Sequence, residues 1–236
     1  MAVMRLRALC LALAIISSQV FAQSPVTEWF PVGSGTRWIY EHETRDDTGE
    51  GRAHLDIHRW KTKETITGSW PIPEGTLVGR RVRLVDGSPP AGYHVTGDFA
   101  YLIRGDCLYS SEVDWEPLNH HLTPAFSEEL FAGHLAADFC FPLVVHKMWG
   151  APHFMNLRPP AAAKDWEVVG VKFRDPAAPD KQNTFHVTSI SHYLGSGMTA
   201  DIWFEKGVGI IREEDIHHGT IGEDRTRLLR FNPAPR

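Results

Sequence analysis

The chain has 236 residues, of which 42% are hydrophobic and 22% are charged, with 8 Trp, 12 Phe and 13 His. This composition excludes a disordered chain, a collagen-like repeat and a small disulfide-rich scaffold. The formal charge is −5 with His neutral, so bulk electrostatics gives no reason to expect a nucleic-acid partner.

Residues 1–22 have the features of a cleaved secretory signal peptide. Arg5 and Arg7 precede nine apolar residues, 8–16, and the segment ends in small or branched residues up to Ala22. A membrane-spanning helix needs about 20 apolar residues, so nine are too few for an anchor. We therefore predict cleavage after Ala22 and a periplasmic or secreted protein of 214 residues, with a net charge of −7 and no transmembrane anchor.

Cleavage at this position removes Cys10 and leaves two cysteines, Cys107 and Cys140. An oxidising compartment favours a disulfide between them, and two buried free thiols are the alternative. The bridge would close a loop of 34 residues. Closing a loop of this length lowers the entropy of the unfolded chain, which should stabilise the folded protein by about 3–4 kcal/mol.

We predict that residues 23–236 form a single, mainly β domain, because turn signals recur and few stretches have a helical period. The predicted strands cover residues 38–45, 52–61, 77–85, 99–104, 107–112, 167–174, 184–193, 198–204, 208–216 and 226–231. Arg80 would share a face with Val78 and Val82, so we expect that arginine at an end or edge of the sheet.

One helix is predicted over residues 124–137. Thr123 is a good N-cap, Pro124 suits the first helical position, and Ala, Leu and Glu are frequent in the residues that follow. The helix would lie within the loop that the disulfide closes, where it could cover the open face of a curved sheet.

Two segments share a pattern in which Phe-Pro is followed by Trp eight residues after the Phe. They are Phe30–Pro31 leading to Trp38, and Phe141–Pro142 leading to Trp149. Their spacing of 111 residues is about half of the mature chain. This predicts two pseudo-repeated halves, 29–112 and 140–231, each with Phe and Trp as core anchors.

Residues 203–211 predict a β-hairpin with a three-residue turn. Gly207 would supply a positive φ angle in this turn. Trp203 would face Gly209, and its indole would cover the bare backbone of that glycine.

These motifs resemble a broad group of secreted bacterial proteins. The first motif reads Phe-Pro-Val-x-x-Gly-x-x-Trp-x-Tyr, and the second is the Gly-Val-Gly hairpin near the C-terminus; the residues that carry the resemblance are Phe30, Pro31, Gly35, Trp38, Tyr40, Trp203, Gly207 and Gly209. The resemblance implies one antiparallel, strongly curved sheet, similar to the half-barrel of periplasmic lipoprotein carriers. It implies no catalytic residues for this chain.

Familiar catalytic motifs are absent from the sequence. It contains no Gly-x-Ser-x-Gly elbow, no His-Glu-x-x-His and no Walker loop. We therefore predict a non-enzymatic envelope protein without a cofactor, whose concave sheet face binds an apolar ligand, such as a hydrophobic small molecule or a lipid, or a partner. A structural or interaction module of an envelope assembly is an alternative.

Histidine offers a second alternative, a secreted module that binds zinc or copper. Strand alternation places His54, Asp56 and His58 on one face. A tight turn at residues 47–49, with Gly49 left-handed, would set His42 opposite His54 and complete the set of ligands. A polar hairpin face without any metal produces the same pattern.

The metal hypothesis predicts that untagged protein contains zinc or copper and that His54→Ala lowers the metal content. Elemental analysis of both proteins measures this. Protein with no bound metal, or a content unchanged by the substitution, would contradict the hypothesis.

Overall fold

Most of the described chain forms β-strands, because apolar and polar residues alternate along it. The computed structural model describes residues 24–47, 55–91, 93, 95–110, 137–144, 147–149, 165–171, 184–193, 196–218 and 222–235. Within these ranges there are one short helix and twelve strands. They are α1 (Pro25–Trp29), β1 (Arg37–Asp47), β2 (Leu55–Ile72), β3 (Gly75–Gly87), β4 (Gly97–Arg104), β5 (Cys107–Ser110), β6 (Phe139–Cys140), β7 (Met148–Trp149), β8 (Asp165–Val171), β9 (Thr184–Tyr193), β10 (Ser196–Glu205), β11 (Gly209–His218) and β12 (Glu223–Asn232).

The strands form one antiparallel sheet in the order β6-β5-β4-β3-β2-β1-β12-β11-β10-β9-β8-β7. Two six-stranded meanders, β1–β6 and β7–β12, therefore meet where β1 pairs with β12. The sheet curls into a half-barrel, which confirms the predicted fold class. The two Phe-Pro elements occupy different places in it, since the first leads into the central strand β1 and the second into the edge strand β7.

The two edges of the sheet approach each other at the second Phe-Pro element. The indole Nε1 of Trp149, on β7, donates to the carbonyl oxygen of Asp138, just before β6, at 2.9 Å. Between these strands Phe141 is fully buried and is followed by a cis peptide bond to Pro142. The edges are thus joined by a short link whose aromatic residue points into the core.

Helix α1 crosses the end of the half-barrel and contacts turns from both meanders. Ser24 caps its first turn, and the Ser24 hydroxyl also donates to the carbonyl of Gly105, between β4 and β5. At the other end the Glu28 carbonyl accepts from the amide of Gly207, between β10 and β11, at 2.9 Å. The sequence interpretation missed this helix, and the one predicted at 124–137 falls almost entirely outside the described residues.

The main core lies inside the curl, where side chains from both meanders pack on α1. Trp29 stacks on Phe141 with ring centroids 6.2 Å apart, and Phe204 and Phe141 form a T-shaped pair with centroids 5.8 Å apart. A smaller cluster, formed by Leu77, Ala100 and Leu102, packs against Trp70. The predicted disulfide between Cys107 and Cys140 is present and fastens β5 to β6.

Two sequence expectations about β2 and β3 need correction. Strand β2 runs to Ile72, whereas the sequence predicts an end near residue 61. The prediction is too short because Thr62 and Glu64 are polar residues on the core-facing side, so apolar and polar residues do not alternate cleanly there. Strand β3 lies between β2 and β4, so Arg80 is not at a sheet edge. Its guanidinium instead pairs with Glu64 at 3.2 Å and lies over the Tyr101 ring at 4.7 Å.

The C-terminal hairpin has the predicted three-residue turn, and Gly207 has a φ of 78°. Its register differs from the prediction, because Glu205 faces Gly209 and a bulge sets Trp203 opposite Arg212. Phe30 covers Gly209 instead, with Phe30 Cδ2 3.1 Å from where a Cβ would lie. Trp203 stacks on His186, on the opposite face of the sheet.

Gly207 and Gly209 offer a matched pair of substitutions. Both have positive φ angles, but a Cβ at Gly207 meets nothing within 4 Å, whereas one at Gly209 presses on the Phe30 ring. Gly207→Ala should cost about 1–2 kcal/mol from backbone conformation alone. Gly209→Ala should cost about 1–3 kcal/mol more, because the buried ring must shift. Urea unfolding measures both, and equal losses would contradict this packing.

Candidate functional site

Strand β1 carries side chains from the apolar core to a polar opening along one face. Trp38, Tyr40, His42 and Thr44 alternate on this concave face, with Trp38 deepest in the core. Trp38 Nε1 donates to the carbonyl of Val208 at 2.6 Å, and the Tyr40 hydroxyl donates to that of Ile210 at 3.0 Å. Polarity therefore increases stepwise from Trp38 to Thr44.

His42 is held by two threonine hydroxyls from the neighbouring strands. Its Nδ1 lies 3.1 Å from Thr226 Oγ1 on β12, and its Nε2 lies 2.8 Å from Thr62 Oγ1 on β2. Burial lowers the pKa of His42 from 6.5 to about 4. The ring is thus neutral near pH 7, and one nitrogen donates while the other accepts.

Trp60 stacks on His42 and forms an aromatic wall with it. The ring centroids are 5.1 Å apart and the planes differ by 10°. Tyr93 packs against Trp60 in a T-shaped arrangement, with ring centroids 6.0 Å apart. Trp60 is only 5% exposed, and its indole Nε1 has no hydrogen-bond partner among the described residues.

A cavity of about 150 Å³ opens beside this wall. Its aromatic lining is His42, Trp60 and Tyr93, and its hydroxyl lining is Thr44 and Thr226. The charged residues that line it are Glu43, Glu213, Asp215, Asp224 and Arg225. The register places Glu213 opposite Thr226 and Asp215 opposite Asp224, so these carboxylates share the concave face with His42.

Polar groups continue from His42 into the core, at Tyr40 on β1 and Glu64 on β2. Burial raises the pKa of Tyr40 well above its ordinary value, and the carboxylate of Glu64 adds to this effect. Glu64 is itself paired with Arg80. The interior around these groups is filled by the protein's own apolar side chains.

The predicted metal ligands are not assembled by the register seen here. His42 faces Trp60 instead of His54, because β1 and β2 extend to Asp47 and Leu55 before the chain turns. His58 faces Thr44 and Asp56 faces Asp46. His54 lies outside the described residues, so the complete set stays a prediction. Within the described ranges, no group of three or more His, Cys, Asp or Glu residues could hold a metal ion.

Sequence reasoning found His42 but not the residues that surround it. Thr62 and Thr226 were unmarked because threonine is common on strands. Trp60 was assigned to a strand without a role. A pairing of β1 with the C-terminal strand would have revealed the cluster, but no local pattern indicates a contact between residues 42 and 226.

Neither a protein-family model nor a curated protein matches the chain. Among the described residues, no helix has both the length and the apolar content required to cross a membrane.

Two crystal structures show a distant likeness. One is a predicted exported protein with a YmcC-like fold from Bacteroides fragilis, 13% identical with a TM-score of 0.41, covering 86% of this chain and 98% of that one. The other is a predicted lipoprotein from Parabacteroides distasonis, 14% identical with a TM-score of 0.40, covering 86% and 97% respectively. Neither likeness assigns a function to this chain.

The lowered pKa of His42 predicts a pH dependence of stability. Below pH 6.5 the unfolded chain binds a proton at this ring that the folded chain does not, so the free energy of unfolding falls as the pH drops towards 4. The loss should reach about 3 kcal/mol. His42→Gln, which keeps hydrogen-bonding capacity but cannot titrate, should remove this part of the slope.

Urea unfolding of both proteins at several pH values between 7 and 4 measures the difference. Carboxylates titrate alike in the two proteins, so only the difference between the slopes reports on His42. Parallel slopes would contradict the burial of a neutral ring at this position.

Proposed function

We propose that the chain is an exported, non-enzymatic binding protein whose concave-face cavity takes a small ligand. The observation that carries this proposal is the division of the concave face. Its apolar part is filled by α1, Phe30 and Phe141, whereas the adjacent part stays open beside the wall formed by His42 and Trp60. Concave openings with an aromatic wall and a few polar groups are typical of ligand sites.

Export is supported by the signal-peptide features of residues 1–22 and by the disulfide, which suits an oxidising compartment. A binding role is supported by the state of His42. Both of its nitrogens lie against threonine hydroxyls and neither lies against a carboxylate, so the ring lacks the orienting partner of a general base.

The ligand expected from the sequence was apolar, but the open part of the face favours a different chemistry. Carboxylates and hydroxyls line the cavity together with aromatic rings. An apolar molecule would desolvate these groups without compensation. We therefore propose a polar or charged ligand with one surface that can stack on a ring.

Native mass spectrometry of protein purified from its own host compartment tests the proposal. Wild-type protein should carry a small molecule that dissociates on activation. Thr226→Tyr should lose it, because the larger side chain fills the cavity. Arg227→Tyr is the matched control. Arg227 is the residue after Thr226, and its side chain points to the opposite face of the sheet, where it ion-pairs with Glu41.

Both variants should first be shown to unfold at similar urea concentrations, so that loss of ligand is not loss of fold. Wild-type protein that is empty after gentle purification, and that stays empty after incubation with a host extract, would overturn the proposal. Equal retention by both variants would place the ligand elsewhere.

A further inference from the structure

We propose that the outer face of the four central strands, β12, β1, β2 and β3, docks on a membrane rich in anionic phospholipid such as phosphatidylglycerol. The outer face is the side of the sheet that points away from the core. The proposal goes beyond the binding function and does not depend on it, because the cavity opens on the concave side. It follows from the charge balance, the ion pairs and the exposed aliphatic side chains of these strands.

The charge balance of the outer face is the reverse of that of the whole chain. The sequence has 24 Lys and Arg against 29 Asp and Glu. Over residues 37–45, 57–65, 81–86 and 223–232, the cations on the outer face are Arg37, Arg45, Arg59, Lys61, Lys63, Arg81, Arg83, Arg225, Arg227 and Arg230. The carboxylates on the same face are Glu41, Glu43, Asp86 and Glu223. The centre of the outer face is therefore a region of net positive charge on an acidic protein.

The carboxylates of the outer face are all engaged by neighbouring cations. Glu41 pairs with Arg227 at 2.6 Å, and Asp86 pairs with Lys61 at 3.1 Å. The other pairs are Glu43 with Arg45 and Arg59, Glu223 with Arg45 and Arg225, and Asp98 on β4 with Arg81. These pairs neutralise most of the cations, and the excess of positive charge falls on those that remain.

The remaining cations lie side by side across the four strands. The register sets Arg230 opposite Ile39, Ile39 opposite Lys63, and Lys63 opposite Arg83. Arg37 lies two residues before Ile39, on the same face. Within the part of the chain that the structure describes, none of these four cations forms an ion pair. We call Arg37, Lys63, Arg83 and Arg230 the basic patch.

The basic patch is unfavourable for the sheet on its own. Lys63 and Arg83 face each other directly, and like charges at such positions destabilise a β-sheet. Both side chains are exposed, and Arg83 Nη1 donates to the carbonyl of Val82 at 3.2 Å, which leaves its charge uncompensated. On the same two strands Lys61 faces Asp86, so the sheet can pair opposite charges here. An anionic partner would remove the repulsion within the patch.

Exposed aliphatic side chains at both ends of the basic patch favour a membrane as that partner. Leu229, next to Arg230, is 44% exposed, and Val85, two residues after Arg83, is 53% exposed. Each is the extra residue of an irregularity in strand pairing. Surfaces that bind anionic membranes combine cations, which attract the lipid phosphates, with apolar side chains that enter the interface.

Nucleic acid is a less suitable polyanion for this surface. Proteins that bind single strands place aromatic rings among their cations, so that the bases can stack on them. Over residues 37–45, 57–65, 81–86 and 223–232, the outer face carries no aromatic side chain. The aliphatic residues beside the basic patch would gain nothing from a polar phosphate backbone.

Flotation of vesicles with the full protein measures the proposed binding. Vesicles that contain phosphatidylglycerol and phosphatidylcholine are compared with vesicles of phosphatidylcholine alone, at about 0.15 M salt. The protein should bind the anionic vesicles at least about tenfold more tightly. Salt at about 1 M should release it, because screening then acts over about 3 Å. Equal binding of both kinds of vesicle would overturn the proposal.

The double variant Lys63→Gln with Arg83→Gln tests the basic patch. Each Lys or Arg near an anionic surface contributes about fivefold to affinity, so the variant should bind about tenfold or more weakly. Urea unfolding should show that it is at least as stable as the wild type, because the repulsion between the two side chains is lost.

Arg104→Gln with Lys206→Gln is the matched control. It changes the net charge by the same amount, but at the ends of the half-barrel, in the β4–β5 and β10–β11 hairpins that contact α1. It should bind anionic vesicles like the wild type. Equal losses in the two double variants would show a general charge attraction and would contradict a defined docking face.

Leu229→Ser tests the aliphatic contribution to docking. It should weaken binding about threefold or more, because apolar surface no longer leaves water on docking. Leu84→Ser is its control, since Leu84 is 42% exposed but lies on the concave side, opposite Thr62. Binding by Leu229→Ser equal to that of the wild type would overturn the choice of a membrane.

Competition with single-stranded DNA separates the two polyanions. Release of the protein from vesicles by DNA at an equal concentration of phosphate would overturn the proposal, as would failure to bind anionic vesicles at all. Neither outcome bears on the cavity, whose ligand is measured separately by native mass spectrometry.

Discussion

The fold depends on one long-range contact, the docking of the Phe30–Trp38 segment onto the β10–β11 hairpin. Trp38 is 1% exposed, stacks on Phe30 at 5.5 Å, and donates to Val208, 170 residues away in the sequence, at 2.6 Å. Phe30 occupies the space left by the missing side chain of Gly209. Truncation of an aromatic side chain of this kind typically costs about 3–5 kcal/mol. The same segment bends the chain from α1 into β1, so the contact also sets where the central strand lies.

The cavity is a consequence of this arrangement. With Trp38 fixed in the core, alternation along β1 puts Tyr40, His42 and Thr44 at successive distances from it on the same face. Pairing with β12 brings Thr226 and Asp224 beside them, and pairing with β2 brings Thr62 and Trp60. Apart from Tyr93, the residues of the opening therefore come from strands at the centre of the sheet, where the two meanders meet, and strands hold them more rigidly than loops would.

Periodicity in the sequence predicted most strands and their faces, but not their registers. The expected pairing of His42 with His54 differs from the observed pairing with Trp60 by six residues along β2. An even shift leaves every side chain on its predicted face, so alternation alone cannot distinguish the two registers. The C-terminal hairpin differs in another way, because a bulge at Trp203 changes its partner from the expected Gly209 to Arg212, an odd shift of three residues. Helix α1 went unnoticed for another reason: Ser24 and Pro25 are start signals like those used at Thr123, but five residues are too few to show a helical period.

The pairing of β1 with β12 also bears on the order in which the chain acquires structure. Strand β1 is the first long strand to be synthesised. Its neighbour β12, and the Val208 carbonyl that accepts from the Trp38 indole, are synthesised only when the chain is nearly complete. Strand β2 can join β1 early, but the core between the two meanders cannot close until the last strands arrive. Contacts this distant slow folding, because a long loop must close before they form. In a chain built in this way, the central strand completes its hydrogen bonding only after nearly all of the chain has been synthesised.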